Sequence, residues 1–87
     1  MTMESVLEIE VSNPKFIGYI ADELRKRLEG KVKAEVQPKK RIVVVAQAES
    51  ESEFPAIKKI VQDELNGVLQ LLALDPLDQG KVTARIR

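Results

Sequence analysis

The segment KVKAEVQPKKRIVVVAQA, residues 31–48, contains two strand-like runs joined by a polar turn. In residues 31–36, valine and alanine alternate with charged residues, which is the two-residue period of a strand that buries one face. A proline and two lysines follow and are typical of a turn. Residues 42–45 are continuously apolar, so this strand carries Val43 and Val45 on the side away from its buried face. The segment therefore predicts a β-hairpin with apolar valines on its outer side.

The residues before the hairpin predict a strand and then a helix. Residues 5–11 alternate apolar and acidic side chains, as in a half-buried strand. Asn13 and Pro14 are typical of a helix start, because asparagine caps free N–H groups and the fixed φ of proline suits the first turn. Apolar residues then recur every three or four positions to about Leu28, and Gly30 supplies a left-handed stop. We expect two exposed ion pairs along this helix, Asp22 with Lys26 and Glu23 with Arg27.

A second helix is predicted after the hairpin, beginning near Ser52. The acidic residues within 49–53 suit the positive end of a helix better than a metal site, because no Ca²⁺-loop glycine accompanies them. Asn66 and Gly67 are weak helix formers and indicate close backbone approach by another helix, a kink or a break. The stripe expected to face the core comprises Phe54, Ile57, Ile60, Val61, Leu65, Val68 and Leu72.

The order of these elements defines the fold class. The chain predicts one α+β domain, residues 1–87, of order β-α-β-β-α, with an antiparallel three-stranded sheet and two helices on one face. Its core spans about residues 5–74, and residues 75–87 form a C-terminal extension. Within that extension residues 81–87 alternate, which predicts either a fourth strand or a mobile tail.

Composition bounds the chemistry of the chain. It has no histidine and no cysteine, so it lacks the side chains most used for nucleophilic, general-base and transition-metal chemistry. We therefore expect a noncatalytic protein with no cofactor and no metal. Hydrophobic residues make up 44%, charged residues 32% and the net charge is zero, which is typical of a soluble globular domain. Without a membrane-spanning run or an export signal, the cytoplasm is the expected compartment.

The chain has more apolar surface than one small domain covers. The second helix becomes apolar on nearly every side toward its end, which indicates a protein partner. The predicted partner interface comprises Val43, Val45, Val68, Leu69, Leu71, Leu72 and Leu74. Two other interpretations remain: the C-terminal tail folds back over the leucines, or long neighbours such as Lys33 shield the valines.

A short basic run occupies the hairpin turn. Lys39, Lys40 and Arg41 form either a solvated turn or an RNA contact, and Lys31 and Lys33 are near them in sequence. Three phosphate contacts give a salt slope of only about −2 to −3, so such a patch assists RNA binding within an assembly.

Known RNA-binding modules do not fit. An RRM needs aromatic residues on its central strands and a KH module needs a GXXG loop, and both are missing from this sequence. An acylphosphatase-like enzyme needs a phosphate-cradling arginine after the first strand, where Ser12–Pro14 stands instead. These classes are therefore disfavoured.

Residues 46–74, AQAESESEFPAIKKIVQDELNGVLQLLAL, carry a resemblance to a known family. Together with the strand, helix and hairpin before them, they resemble the small Pcc-type subunits of the archaeal and eukaryotic KEOPS complex, which makes the threonylcarbamoyl modification of tRNA. The similarity covers roughly residues 5–74 and includes an acidic strand end and an Asn-small dipeptide, Asn66–Gly67. It implies a dimerisation subunit that pairs with itself or a paralogue and docks its helices on the catalytic, ATPase-like subunit.

The chain departs from that family in two places. Val68–Leu74 contains only Gln70 as a polar residue, where basic and aromatic residues are expected, and the extension 75–87 is additional. These departures are typical of a divergent auxiliary paralogue with altered docking, in which direct tRNA contact is less certain.

Two other functions fit the same layout. With residues 81–87 as a fourth strand, the chain resembles a ferredoxin-like, ACT-type module that binds a small molecule, although Ser12–Pro14 replaces the glycine-rich turn of that class. The other is a purely structural homodimer.

Overall fold

In the computed structural model, which describes residues 2–74 and 82–87, strands and helices follow the order β-α-β-β-α-β. Their bounds are Met3–Val11 for β1, Ile17–Leu28 for α1, Lys33–Pro38 for β2, Ile42–Ala48 for β3, Phe54–Ala73 for α2 and Ala84–Ile86 for β4. The strands form one antiparallel sheet in the order β2-β3-β1-β4, as in the ferredoxin-like, split-βαβ arrangement. The predicted α+β class is confirmed, and the C-terminal segment contributes a fourth strand.

Strand alternation directs one side of the sheet toward both helices. Val44, at the centre of β3, lies opposite Leu7 of β1 and Val36 of β2 and is fully buried. Burying a side chain of this size contributes about 1.5 to 3 kcal/mol relative to leaving it exposed, so these contacts hold the helices on the sheet. The largest fully buried side chains are Ile9, Ile20, Leu24, Ile42, Leu65, Val44, Val61 and Val68.

Helix α1 ends as predicted, at Leu28, but it begins at Ile17, three residues after the proline that was predicted to open it. The Asn13 side chain accepts the backbone N–H two residues on, at 3.1 Å, and a short 3-10 turn, Pro14–Phe16, leads into the helix. Gly30 has a φ of 83°, in the left-handed region. The backbone N–H of the residue after it, Lys31, donates to the Leu28 carbonyl at 3.0 Å, which closes the helix end.

Helix α2 is capped two residues before the predicted start. The region around Ser52 is a 3-10 turn, Glu51–Glu53, that leads into α2. The Glu53 carboxylate accepts the backbone N–H groups of Ser50 and Glu49, each at 2.9 Å. The interpretation of this acidic run as a helix cap is therefore confirmed for Glu53.

The two helices contact each other around Gly67. Helix α2 continues through Asn66–Gly67 without a break, and the Arg27 side chain of α1 lies against Gly67. The predicted close approach of another helix's backbone is wrong, because the atoms nearest to Gly67 belong to the Arg27 side chain. The predicted Asp22–Lys26 pair forms at 3.5 Å. The predicted Glu23–Arg27 pair is wrong, because Arg27 reaches across to Glu64 of α2 and Glu23 lies near Lys26.

Candidate functional site

The leucine-rich end of α2 contributes part of its length to the core. Val68 and Leu72 are only 0% and 7% exposed. They continue the buried stripe of Val61 and Leu65, because residues three and four apart share a helix face. Their assignment to a partner interface is therefore wrong, since both side chains belong to the buried core.

The other leucines lie on two flanks of α2. Leu71 is 44% exposed and Leu74 is 78% exposed, and their three-residue spacing places them on one side of the helix. Leu69 packs partly against the core; two residues before Leu71, it points about 200° around the helix axis from it. We call Leu71 and Leu74 the helix-end pair. This pair, without Leu69, is the exposed apolar surface at the end of α2.

Strand β4 leaves the helix-end pair exposed. It pairs with the Ile9–Val11 part of β1 at the sheet edge, and its inward side chains pack against the core. The interpretation that the tail covers the leucines therefore fails for residues 82–87. Residues 75–81, the rest of the predicted extension, lie outside the described residues.

The sheet surface opposite the helices carries three valines near its centre. Val43 and Val45 lie two residues apart on this surface and are half-buried, as predicted. Val6 of β1 lies directly opposite Val45 and is 59% exposed. We call these three residues the outer valine cluster. Sequence reasoning missed Val6, although strand alternation places it on the same face as Glu8.

The β2 side chains beside the valines are polar. Lys33 lies opposite Gln47, diagonal to Val45, whereas Gln37 lies opposite Val43 and Glu35 opposite Val45. The valines therefore have polar neighbours on β2 but keep part of their surface open.

Charged side chains border the outer valine cluster. Arg41 Nη1 lies 3.3 Å from Glu8 Oε2, and Arg87 Nε lies 3.7 Å from Glu10 Oε2. These side chains are all about half exposed, and exposed pairs of this kind contribute only about 0 to 1 kcal/mol. They place charges of both signs at the border of the valines.

The apolar surfaces are small compared with the cost of association. The three valines contribute at most about 9 kcal/mol on burial and the two leucines about 6 kcal/mol. Association costs about 4 to 15 kcal/mol. Both gains fall within the range of this cost, so a stable complex at either surface needs further contacts besides the apolar ones.

The basic turn does not form a cluster with Lys31 and Lys33. Lys39, Lys40 and Arg41 are exposed, and the Lys39 N–H donates to the Arg41 carbonyl at 3.0 Å to close the turn. Lys33 lies at the opposite end of β2, roughly 20 Å away at about 3.3 Å per residue. The five basic residues therefore do not form one cluster.

Lys31 is engaged in a contact with α2. Its Nζ lies 2.7 Å from Glu64 Oε1, and Arg27 Nη1 lies 3.6 Å from the other oxygen of that carboxylate. The hydrogen bond from Lys31 is the main cause that lowers the pKa of Glu64 below its ordinary value. This arrangement connects α1 and the residues after it to α2.

A groove of about 590 Å³ lies between the start of α2 and the beginning of β2. Lys33 and Ser52 contribute polar atoms to it, and Val32, Ile57 and Ile60 contribute apolar surface. Its size and mixed lining suit a small amphipathic molecule. The described part of the chain contains no group of acidic side chains that could hold a metal ion. Nor does any described helix have the length and apolar character to cross a membrane.

Comparisons with known proteins gave no match: no family model, no curated protein and no solved structure is similar enough to this chain to be reported.

Proposed function

We propose that this chain is a noncatalytic protein-interaction and dimerisation subunit of a cytoplasmic, KEOPS-like complex that makes threonylcarbamoyladenosine in tRNA. The observation that carries the interaction role is the exposure of the helix-end pair, with Leu74 78% exposed at the end of α2. Exposed leucines of this kind are typical of a docking surface for a partner helix.

Each of the two surfaces binds a different partner in this proposal. The outer valine cluster pairs the chain with a second copy or a paralogous Pcc-type subunit. The helix-end pair docks on a helix of the catalytic, ATPase-like subunit. These surfaces belong to opposite layers of the fold, so both partners bind at once without competing.

RNA contact is a secondary role in this proposal. Lys39, Lys40 and Arg41 project from the β2–β3 turn, and the Arg41 guanidinium is shared with Glu8. With at most three phosphate contacts, the salt slope stays near about −2 to −3. The turn therefore adds to tRNA binding by the assembly and does not hold tRNA alone.

The test is affinity recovery of the tagged chain from its source cells, followed by mass spectrometry. The variant Leu71→Asp/Leu74→Asp is compared with Ala56→Asp/Asn66→Asp, which adds the same charge at exposed positions of the same helix. We expect the unaltered chain and the control variant to recover a tRNA-modifying ATPase-like subunit, and the leucine variant to lose it.

Two outcomes would contradict the proposal. Recovery of the chain alone, as a stable dimer, would favour a purely structural homodimer. Equal recovery of the catalytic subunit by the leucine variant and its control would show that α2 docks elsewhere.

A ligand-sensing function of the ACT type is the second candidate. It is favoured by the fourth strand, which completes the four-stranded sheet, and by the 590 Å³ groove. This function predicts that one amino acid or similar metabolite raises the melting temperature in a thermal-shift screen, because a ligand that binds only the folded state stabilises it. The variant Ser52→Ala should then weaken that response, whereas the interaction-subunit function predicts no response to any of the metabolites.

A further inference from the structure

Strand β1 is longer than the edge strand that covers it. Its neighbour β3 pairs with it from Met3 to Ile9, whereas β4 pairs only with Ile9–Val11. The last described pairing on the β4 side is the Arg87 N–H, which donates to the Glu8 carbonyl at 2.8 Å. The stretch Met3–Leu7 thus has no strand partner on this side among the described residues. We call it the open β1 edge.

The hydrogen bonds define which backbone groups face this edge. In an antiparallel sheet, successive residues direct their N–H and C=O groups alternately to the two neighbouring strands. Glu8 bonds toward the β4 side, and so does Ser12, whose N–H donates to the Thr83 carbonyl at 2.8 Å. By the same alternation, Glu4 and Val6 direct their N–H and C=O groups toward the open edge. A strand placed there gains up to four backbone hydrogen bonds.

An apolar groove lies beside the open β1 edge on the helix side. It has a volume of about 390 Å³ and lies between the first half of β1 and the start of α2. Leu7, Phe54 and Pro55 contribute apolar surface to it, and Lys58 is also part of its lining. An added strand would direct every second side chain into this groove, which favours apolar residues at those positions.

The outer side of the same edge is acidic. Glu4 and Glu8 flank Val6 on this face, and both carboxylates belong to half-exposed or exposed residues. Strand β4 already shows which residues suit this neighbourhood, since Arg85 lies directly opposite Glu10 while Ile86 lies opposite Ile9. Apolar residues inward and basic residues outward are therefore the pattern that pairs with β1.

We propose that the open β1 edge binds an extended segment of another protein, with alternating apolar and basic residues, as a strand collinear with β4. Backbone pairing provides the attachment and the apolar groove and outer carboxylates select the sequence. A second copy of β1 is a poor occupant, because it would bring Glu4 and Glu8 of both copies onto one face. This site does not rest on the KEOPS-like function, since it uses neither the helix-end pair nor face-to-face pairing of the sheet.

The test uses the full chain and the synthetic peptide acetyl-KVRIRVK-amide, with acetyl-VVIKKRR-amide as a control of identical composition but without alternation. Binding is measured by fluorescence anisotropy of labelled peptide, and its location by NMR. We expect saturable binding of the alternating peptide only, with slower amide exchange at Glu4 and Val6. Changes confined to Lys33–Pro38, or to the β4-paired Ile9–Val11, would overturn the proposal.

Two charge-reversal variants test whether the outer carboxylates contribute to peptide binding. Glu4→Lys reverses an outer charge at the site and should weaken binding roughly five-fold, because it replaces an attraction by a repulsion. The matched control Glu35→Lys makes the same change on the same face of the sheet, on the far edge strand, and should bind as the unaltered chain does. Equal affinities for the two variants would overturn the proposal.

Val6→Pro removes one of the two open-edge N–H groups without removing a bond to β3, since proline is tolerated where an edge strand faces solvent. It should abolish peptide binding in a chain that keeps its melting temperature. If this variant does not fold, the Glu4→Lys and Glu35→Lys pair still decides the question. Protection of Glu4 and Val6 by dimerisation in the absence of peptide would assign the edge to a second copy and overturn the proposal.

Discussion

Gly67 of α2 lies against the guanidinium of Arg27 of α1, so closely that a Cβ atom added at position 67 would stand 2.8 Å from Arg27 Nη1. The neighbour is the far end of a flexible side chain, which can move by changing rotamer. Arg27 also lies 3.6 Å from Glu64 Oε2, so its displacement weakens one partly exposed ion pair.

Gly67→Ala should therefore raise the free energy of unfolding, by about 0.5 kcal/mol. Alanine gains about 0.8 to 1 kcal/mol over glycine within a helix, and the weakened ion pair offsets up to about half of this. Urea unfolding followed by circular dichroism measures the change. In an Arg27→Gln background the gain from the same substitution should increase, because the crowding guanidinium is gone. A loss of stability in both backgrounds would show that α1 backbone, and not the side chain, limits the space.

The contact between Glu64 and Lys31 makes stability depend on pH. The pKa of Glu64 is lower in the folded chain than its ordinary value of 4.5, so its stabilising contribution is fully present above about pH 4.5 and is lost as pH falls through the folded pKa. Glu64→Gln should therefore destabilise the protein at pH 7, and the difference from the unaltered chain should shrink below pH 4.5. Urea unfolding at several pH values measures this. Lys31→Met should reproduce the same dependence, and a difference that is constant with pH would contradict the assignment to this pair.

Local patterns were sufficient to predict most of the fold. The alternation in residues 5–11 and 31–36 and the stop at Gly30 each depend on residues that are neighbours in sequence. The fourth strand was one of two interpretations of residues 81–87, because a three-residue strand, Ala84–Ile86, depends on pairing with β1 and packing against the core. Sequence alternation alone does not decide whether such a partner edge is available.

Contacts across elements were the part that could not be predicted. Arg27 has a suitable partner four residues away in Glu23, yet it bonds to Glu64, thirty-seven positions on, because α1 and α2 pack side by side. The cap at Ser50 had a local signal, glutamate three residues later, that was overlooked. For the leucines, helical spacing separates Leu72 from Leu71, but only the packing of α2 on the sheet shows which of the two faces solvent.

Helix α2 has a buried and an exposed position on adjacent turns, and the same substitution at each should have different effects on stability. Val68→Asp should unfold much of the protein, because it places an unpaired charge at a position with 0% exposure. Leu71→Asp, at 44% exposure, should change the free energy of unfolding by less than about 1 kcal/mol. Circular dichroism and thermal melting measure both. Equal destabilisation by the two variants would mean that Leu71 is also covered in solution.

The outer valine cluster should control self-association if the sheet surface pairs two copies, as the proposed function holds. Val6→Lys changes the most exposed member, so the fold should keep its melting temperature. Burying the new ammonium group against a partner's valines is costly, and the dimer dissociation constant should therefore rise roughly ten-fold or more. Sedimentation equilibrium measures this constant, and Gln70→Lys, an exposed position on α2 in the opposite layer, is the matched control. An unaltered chain that stays monomeric, or a Val6→Lys dimer as tight as the control, would show that copies do not pair through this surface.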